Sequence, residues 1–389
     1  MQNTLIKSLN GGLLKNSDFS EKFALKKRSK KAGNEKPIER SFGLDLARTL
    51  AICLVIFSHF ANKRLDSLGF WGVELFFGLS GFLIGQILWK NFLRAEEWKF
   101  RNLSNFWARR WWRTLPNYYL FLFLTLIFTF VAGESLPTIS ALSRFLWFGQ
   151  DLFNGQYGFF PVSWSLCIEE WFYLLFPLVL FLLAKTRLKA QTTFLLTLGI
   201  FFFASFIVRE ILASDSPETV IRITTLARLD AIASGVTVAF FCLVMNPTIW
   251  LRRLSFLAGS LLCMIPLINM YWYDNTYEKI IQDPLFLFIT PMGFSLMLPW
   301  ISMMKSPKAT FKPFATAVRK LSLWSYSIYL SHLPIMWIVY SICSGFRNNT
   351  YGNLLSKILG LIITITCSAL LFRYFEEPLT KKRPAAIRS

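Results

Sequence analysis

The sequence predicts an all-α fold: a polytopic integral membrane bundle of about ten transmembrane helices, with the N-terminus and the C-terminus both cytoplasmic. Three observations lead there. Of 389 residues, 54% are hydrophobic and 17% aromatic but only 16% charged, which is too little polar surface to coat a water-soluble globule. Apolar runs long enough to cross about 30 Å of hydrocarbon, roughly 20 residues at 1.5 Å each, recur along almost the whole chain. Between those runs, Lys and Arg crowd into alternate connecting segments, as the positive-inside rule requires.

The apolar runs place spans at about 43–62, 69–89, 115–132, 164–184, 191–209, 224–246, 253–272, 284–301, 321–343 and 353–375. Residues 1–40 carry ten Lys or Arg against four acidic residues and have no apolar core of signal-peptide length, so they are expected to form a basic, flexible cytoplasmic tail. Residues 41–378 then make the transmembrane domain, and 379–389 a short basic cytoplasmic tail. With this alternation the cytoplasmic connections hold 17 Lys or Arg and the external ones 6. An odd number of spans would put the basic C-terminus on the wrong side. The longest external segment, about 133–163, is too short for a catalytic domain of its own, so any chemistry is expected inside the bundle.

The formal charge of +20 has a topological explanation, and no basic stripe with interleaved aromatics marks a nucleic-acid surface. Six cysteines at irregular spacing, with no CxxC pair and no nearby histidine cluster, predict neither a disulfide framework nor a metal site.

Ionisable residues inside spans are costly and default to functional hypotheses. In the first span, GLDLARTLAICLVIFSHF, Arg48 and His59 stand eleven residues apart. On a helix that is about three turns plus 20°, one face, with roughly 16 Å between them along the axis. The alternative is a snorkelling Arg and a packing His. Glu74, near the outer start of the second span, has the depth to pair with His59, and a carboxylate beside an imidazole suits a general base; it is equally consistent with a hydrated helix start. Ser80 and Gly81 of LSGF read as packing residues that let helices approach, with Ser80 also able to line a cavity. Arg110 and Arg113, within FWARRWWRTLP, share a face at i and i+3 and either grip phosphates or anchor the helix among headgroups with the adjoining tryptophans. Glu169 either binds the acceptor, orients His59 or marks a hydrated helix start. Glu170 beside it and His332 of SYSIYLSHLPIM are possible cavity-lining groups. Arg228 and Asp230 read as an internal ion pair.

Together and in order, LDLARTLAICLVIFSHF, GVELFFGLSGFLIG, RRWWRTLPNYYL, SWSLCIEEWFYLLFPL, ARLDAIASG, SYSIYLSHLPI and FEEPL resemble the successive signatures of the acyltransferase family 3 membrane proteins, over about residues 40–380. The resemblance implies transfer of an acyl group, often acetyl, from cytoplasmic acyl-CoA to a hydroxyl of an extracytoplasmic glycan or another small acceptor. The family's Arg and His fall on Arg48 and His59, and its arginine pair on Arg110 and Arg113. Glu74 stands where Asp is frequent, Trp171 where Gln is frequent and Ser331 where an aromatic is frequent, which bears on substrate identity.

The resulting expectation is a membrane O-acyltransferase of the bacterial cytoplasmic (inner) membrane. Arg48, Arg110 and Arg113 bind the acyl-CoA donor, acetyl-CoA in the first instance. His59 is catalytic, assisted by Glu74 or Glu169, by direct transfer or through a transient acyl-His59. No permanently bound cofactor and no metal are expected. The partners are acyl-CoA, a hydroxyl acceptor such as a glycan and the lipid bilayer, not nucleic acid. A transporter or flippase of a lipid-linked sugar or acyl donor is the alternative, because its bundle and intramembrane charges would look alike.

Overall fold

In the computed structural model the described residues are 41–60, 65–94, 99–153, 158–215, 220–272, 280, 282–346 and 349–386. The expected basic tail, residues 1–40, lies outside them. The described residues are helical throughout their regular structure, with no strand among them. Among the described residues thirteen α-helices follow in order: α1 Phe42–Phe60, α2 Leu68–Arg94, α3 Phe100–Val131, α4 Ile139–Leu146, α5 Ser163–Ala184, α6 Ala190–Asp215, α7 Val220–Ile223, α8 Leu229–Met245, α9 Ile249–Trp272, α10 Pro284–Ile301, α11 Lys312–Ile342, α12 Thr350–Leu371 and α13 Glu377–Lys381. A π-helical turn, Phe372–Glu376, joins α12 to α13.

Among the described residues, nine helices are long and apolar enough to cross a membrane: α1, α2, α3, α5, α6, α8, α9, α10 and the run from α12 into α13. The tenth expected span is α11. Its 31 residues suffice in length, but it buries Ser322, Ser325, Ser327, Ser331 and His332 and is correspondingly more polar. Helices α3 and α11 begin fifteen and nine residues before the apolar runs that announced them. The Arg- and Lys-bearing stretches ahead of those runs are good helix formers, so the helix continues where the apolar signal stops.

Contacts between helices distant in sequence fix their relative directions. Arg48 of α1 meets Ser322 of α11, and eleven residues on, His59 meets His332, so these two helices run parallel. Glu74 of α2 meets Arg228 just before α8, and a Cβ on Gly85 of α2 would touch Val236, so this pair is parallel too. Ser255–Leu296 and Cys263–Thr290 make α9 and α10 antiparallel, and Ser331–Ser368 with Ser327–Glu376 does the same for α11 and α12. These directions are those of ten long helices traversed in alternation.

Glycine sets the closest approach. A Cβ on Gly81 would stand 2.0 Å from the Ile232 carbonyl oxygen, and one on Gly235 would stand 2.2 Å from the Gly78 carbonyl, so α2 and α8 pack backbone to backbone. The expected packing role of the LSGF segment thus falls on Gly81. Gly81→Ala should prevent that approach and sharply lower the yield of folded protein on size-exclusion chromatography. Gly199→Ala, at a position with open space around it, should not.

Within the segment expected outside, about 133–163, residues 145–152 are held against the helices. Five donors hold its backbone carbonyls: Tyr118 Oη donates to Phe145 O at 2.9 Å, Tyr119 Oη to Leu146 O at 2.7 Å, Trp171 Nε1 to Phe148 O at 3.0 Å, and the Thr225 and Leu226 amides to Asp151 O and Leu152 O at 2.7 and 3.4 Å. Tyr118 lies thirteen residues before the end of α3, about 20 Å along the axis. Irregular backbone at such depth persists where its polar groups are satisfied by protein. At the other end of the bundle, Arg109 donates to Pro384 O and Asn105 to Ala385 O, seating the C-terminal residues on the start of α3.

Candidate functional site

Helix α11 is the spine of the site. Its buried polar residues meet one partner after another along about 15 Å of axis between Ser322 and His332. At one end Ser322 Oγ donates to Asp45 Oδ1 at 2.8 Å, while Arg48 reaches the same Ser322 oxygen at 3.4 Å and Asp45 at 3.8 Å. The Arg48 side chain keeps 17% of its surface exposed. One turn on, Tyr326 Oη donates to the Thr114 carbonyl at 2.8 Å, and Ser327 Oγ donates to Glu376 Oε2 at 2.7 Å. Asn117 Nδ2 donates to the same carboxylate oxygen at 2.9 Å. Glu376 belongs to the π-helical turn, a wide turn often kept for function, which here carries a buried carboxylate into the bundle.

Farther along, Tyr329 Oη shares a 2.6 Å hydrogen bond with Ser165 of α5, and the His59 and His332 rings lie 5.1 Å apart, centroid to centroid. The expected shared face of Arg48 and His59 is therefore the face they turn to α11. His59 is exposed, whereas His332 is fully buried.

Beside this track lies a second group, built from α2, α3 and α5. The Arg110 guanidinium sits over the Tyr173 ring at 4.0 Å, the Tyr173 and Ser80 hydroxyls share a short hydrogen bond, and Glu169 lies against both of them. Arg113 is exposed and stands within electrostatic reach of Glu169, Tyr173 and Glu376. Arg110 and Arg113 thus differ: one is held on an aromatic face, the other presents its charge. Glu170 is buried, and the Thr114 hydroxyl beside it donates instead to the Arg110 carbonyl.

Glu74 goes elsewhere. Both its carboxylate oxygens accept from Arg228 Nη2, at 2.6 and 2.5 Å, and both side chains are fully buried. The expected Glu74–His59 pair is not formed, because Glu74 lies too far along α2: it is Gly69 that meets Ser58, His59's neighbour, and Gly72 already faces Ala51. The expected Arg228–Asp230 pair is replaced by two pairs, Arg228–Glu74 and Arg209–Asp230, the second at 2.7 Å. Residues two apart on one chain point to different sides, so each finds a partner on another helix.

Comparison with known proteins identifies the family. A family model described as an acyltransferase domain, Acyl_transf_3, matches residues 41–373. The chain belongs to that family. Like other matches, the acyltransferase 3 chain is similar to the O-acetyltransferase OatA of Staphylococcus aureus strain NCTC 8325 / PS 47, with 28% identity over 367 residues that cover 87% of this chain and 57% of the relative. The OatA of strain COL matches with the same figures. The chain thus spans little more than half the length of these curated relatives. No solved structure matches it.

Several residues of the candidate site were not singled out in the sequence: Tyr173, Asn117, Ser322, Ser327, Tyr329 and Glu376. A signal existed for two of them. Asn117 and Glu376 are polar groups inside or beside apolar runs, and Glu376 opens the pair in FEEPL.

Proposed function

We propose that this chain is a membrane O-acyltransferase that moves an acyl group, acetyl in the first instance, from acyl-CoA to a hydroxyl of an extracytoplasmic glycan. The supporting observation is the two-ended polar track along α11, with arginines at Ser322 and alongside Tyr326–Ser327 and histidines at the far end, in a chain of the acyltransferase 3 family. Arginines suit the phosphates of CoA, and an accessible imidazole suits a hydroxyl about to lose its proton. The Lys and Arg distribution supports a cytoplasmic Arg48 end, the side where CoA is found, and the membrane in this reading is the inner membrane of a bacterium. The pantetheine arm then carries the thioester along the track to His59.

The reaction balances without a metal: the acceptor oxygen bonds to the acyl carbon, its proton passes to His59, the C–S bond breaks and the CoA thiolate takes up the proton. Purified protein incubated with radiolabelled acetyl-CoA and isolated cell-surface glycan should release CoA thiol and label the glycan. Unchanged acetyl-CoA would overturn the proposal and leave transport without bond chemistry as the reading.

Within this scheme Arg113 presents the freer charge. Arg113→Ala should raise the KM for acetyl-CoA about tenfold or more, the loss of one charge-assisted contact, with kcat and membrane abundance near wild type. Arg113→Lys should recover little where the contact is bidentate. Unchanged donor kinetics would return Arg113 to a role in anchoring α3.

A further inference from the structure

Glu74, the carboxylate expected beside His59, pairs with Arg228, and a histidine ring lies next to His59. His332 is fully buried on α11, one of only two histidines in the chain, and its ring lies 5.1 Å from that of His59 with a 37° tilt. Its Nδ1 is 2.7 Å from the Tyr329 carbonyl oxygen. A carbonyl only accepts, so Nδ1 must carry the hydrogen, and in a neutral imidazole Nε2 then holds a bare lone pair. That Nε2 is buried and has no hydrogen-bond partner. A buried acceptor left without a partner is unfavourable, so its place next to His59 calls for an explanation.

We propose that His332 is the positioning residue of His59: its fixed Nε2 lone pair receives one ring N–H of His59 and leaves the other His59 nitrogen free to act as the base. The inference rests on His59 being the base, and it names the group that makes it one. Two imidazoles joined edge to edge by an N–H···N bond of about 2.9 Å have centroids about 5 Å apart, given about 1.1 Å from centroid to nitrogen in each ring. The observed separation matches that distance. A turn of the exposed His59 side chain closes the bond, in keeping with catalytic hydrogen bonds that tighten only when substrate is present.

The arrangement has a definite polarity. The Tyr329 carbonyl fixes the tautomer of His332, His332 fixes the tautomer of His59, and the free nitrogen of His59 takes the proton of the acceptor hydroxyl. The His59 imidazolium then forms beside a neutral acceptor that its N–H already meets. It returns the acquired proton to the departing CoA thiolate, and His332 neither gains nor loses one. A hydrogen bond that locks the tautomer in this way decides which nitrogen of a histidine is free to act as base.

With only two histidines in the chain, 15N-histidine labelling of the full protein in nanodiscs reads both rings directly. The expected spectrum has His332 protonated on Nδ1 alone and His59 in one dominant tautomer. In His332→Gln, whose amide oxygen lies near the Nε2 position, His59 should keep that tautomer. In His332→Asn, which can still donate to the Tyr329 carbonyl but offers no acceptor at Nε2, His59 should relax to a mixture. Turnover of acetyl-CoA should follow the same order, with the Asn variant about 10²-fold down in kcat, the lower end of what a positioned base contributes, and KM for the donor unchanged. A His59 tautomer identical in wild type and His332→Asn, or His332 protonated on Nε2, would overturn the proposal. If instead the tautomers behave as expected but His59→Ala turns over normally, the positioning holds and it is the reading of His59 as base that fails.

Discussion

His59→Ala should nearly abolish acyl transfer while leaving the bundle folded. A positioned general base contributes about 10² to 10⁴ in rate, and no other exposed imidazole stands among the described residues to replace it. The side chain is exposed and its near neighbour is the His332 ring, so its truncation opens no large void in the core. The loss should therefore appear in kcat, with membrane abundance and the KM for acetyl-CoA little changed, because the arginines lie along α11 towards the other end. His59→Gln should not recover activity: an amide can hydrogen-bond to the acceptor hydroxyl but cannot take its proton. Normal turnover by His59→Ala at normal abundance would remove the base from the mechanism and move the search to Glu169, which lies against Ser80 and Tyr173.

Much of this arrangement is legible in the sequence, because in a membrane bundle the solvent itself dictates the pattern. Apolar runs must be helical, since lipid offers no partner to a backbone amide, so α1 falls at 42–60 where 43–62 is expected and α10 at 284–301 as expected. The register of Arg48 with His59 follows from helical geometry alone, and α11 receives both. The sequence is silent on partnerships between helices. Glu74 finds Arg228 across 154 residues, and Asn117 finds Glu376 across 259. A depth estimate from the helix start matched Glu74 to His59, but the glycines of α2 set where that helix crosses α1, and this shifts the carboxylate out of reach. The seating of residues 145–152 against the helices is hidden for a related reason. Their backbone is held by Tyr118, Tyr119 and Trp171, residues that in a sequence read only as aromatic members of apolar helices.

Glu74→Gln should destabilise the protein far more than it slows turnover per folded molecule. The Glu74 and Arg228 side chains are both fully buried, and Arg228 also donates to the Leu287 carbonyl at 2.5 Å. Removing one member of a buried pair leaves the other as an uncompensated charge in a low-dielectric interior, at a cost of about 3–5 kcal/mol. That is a large fraction of the 5–15 kcal/mol by which folded proteins are typically stable. The pair also sits where α2, α8 and α10 meet, because Arg228 precedes α8 and Leu287 belongs to α10. Glu74→Gln and Arg228→Met should each lower the thermal unfolding midpoint of detergent-solubilised protein and the yield of folded material. The double variant Glu74→Gln with Arg228→Met, which buries no charge at that point, should recover most of the loss, because replacing a whole buried pair costs little compared with breaking it. The two roles available to Glu74 separate cleanly here. A structural clamp gives low stability and near-normal activity in the folded fraction, with rescue by the second substitution. A carboxylate acting in the chemistry would give normal stability and lost turnover in Glu74→Gln, and Arg228→Met would rescue nothing.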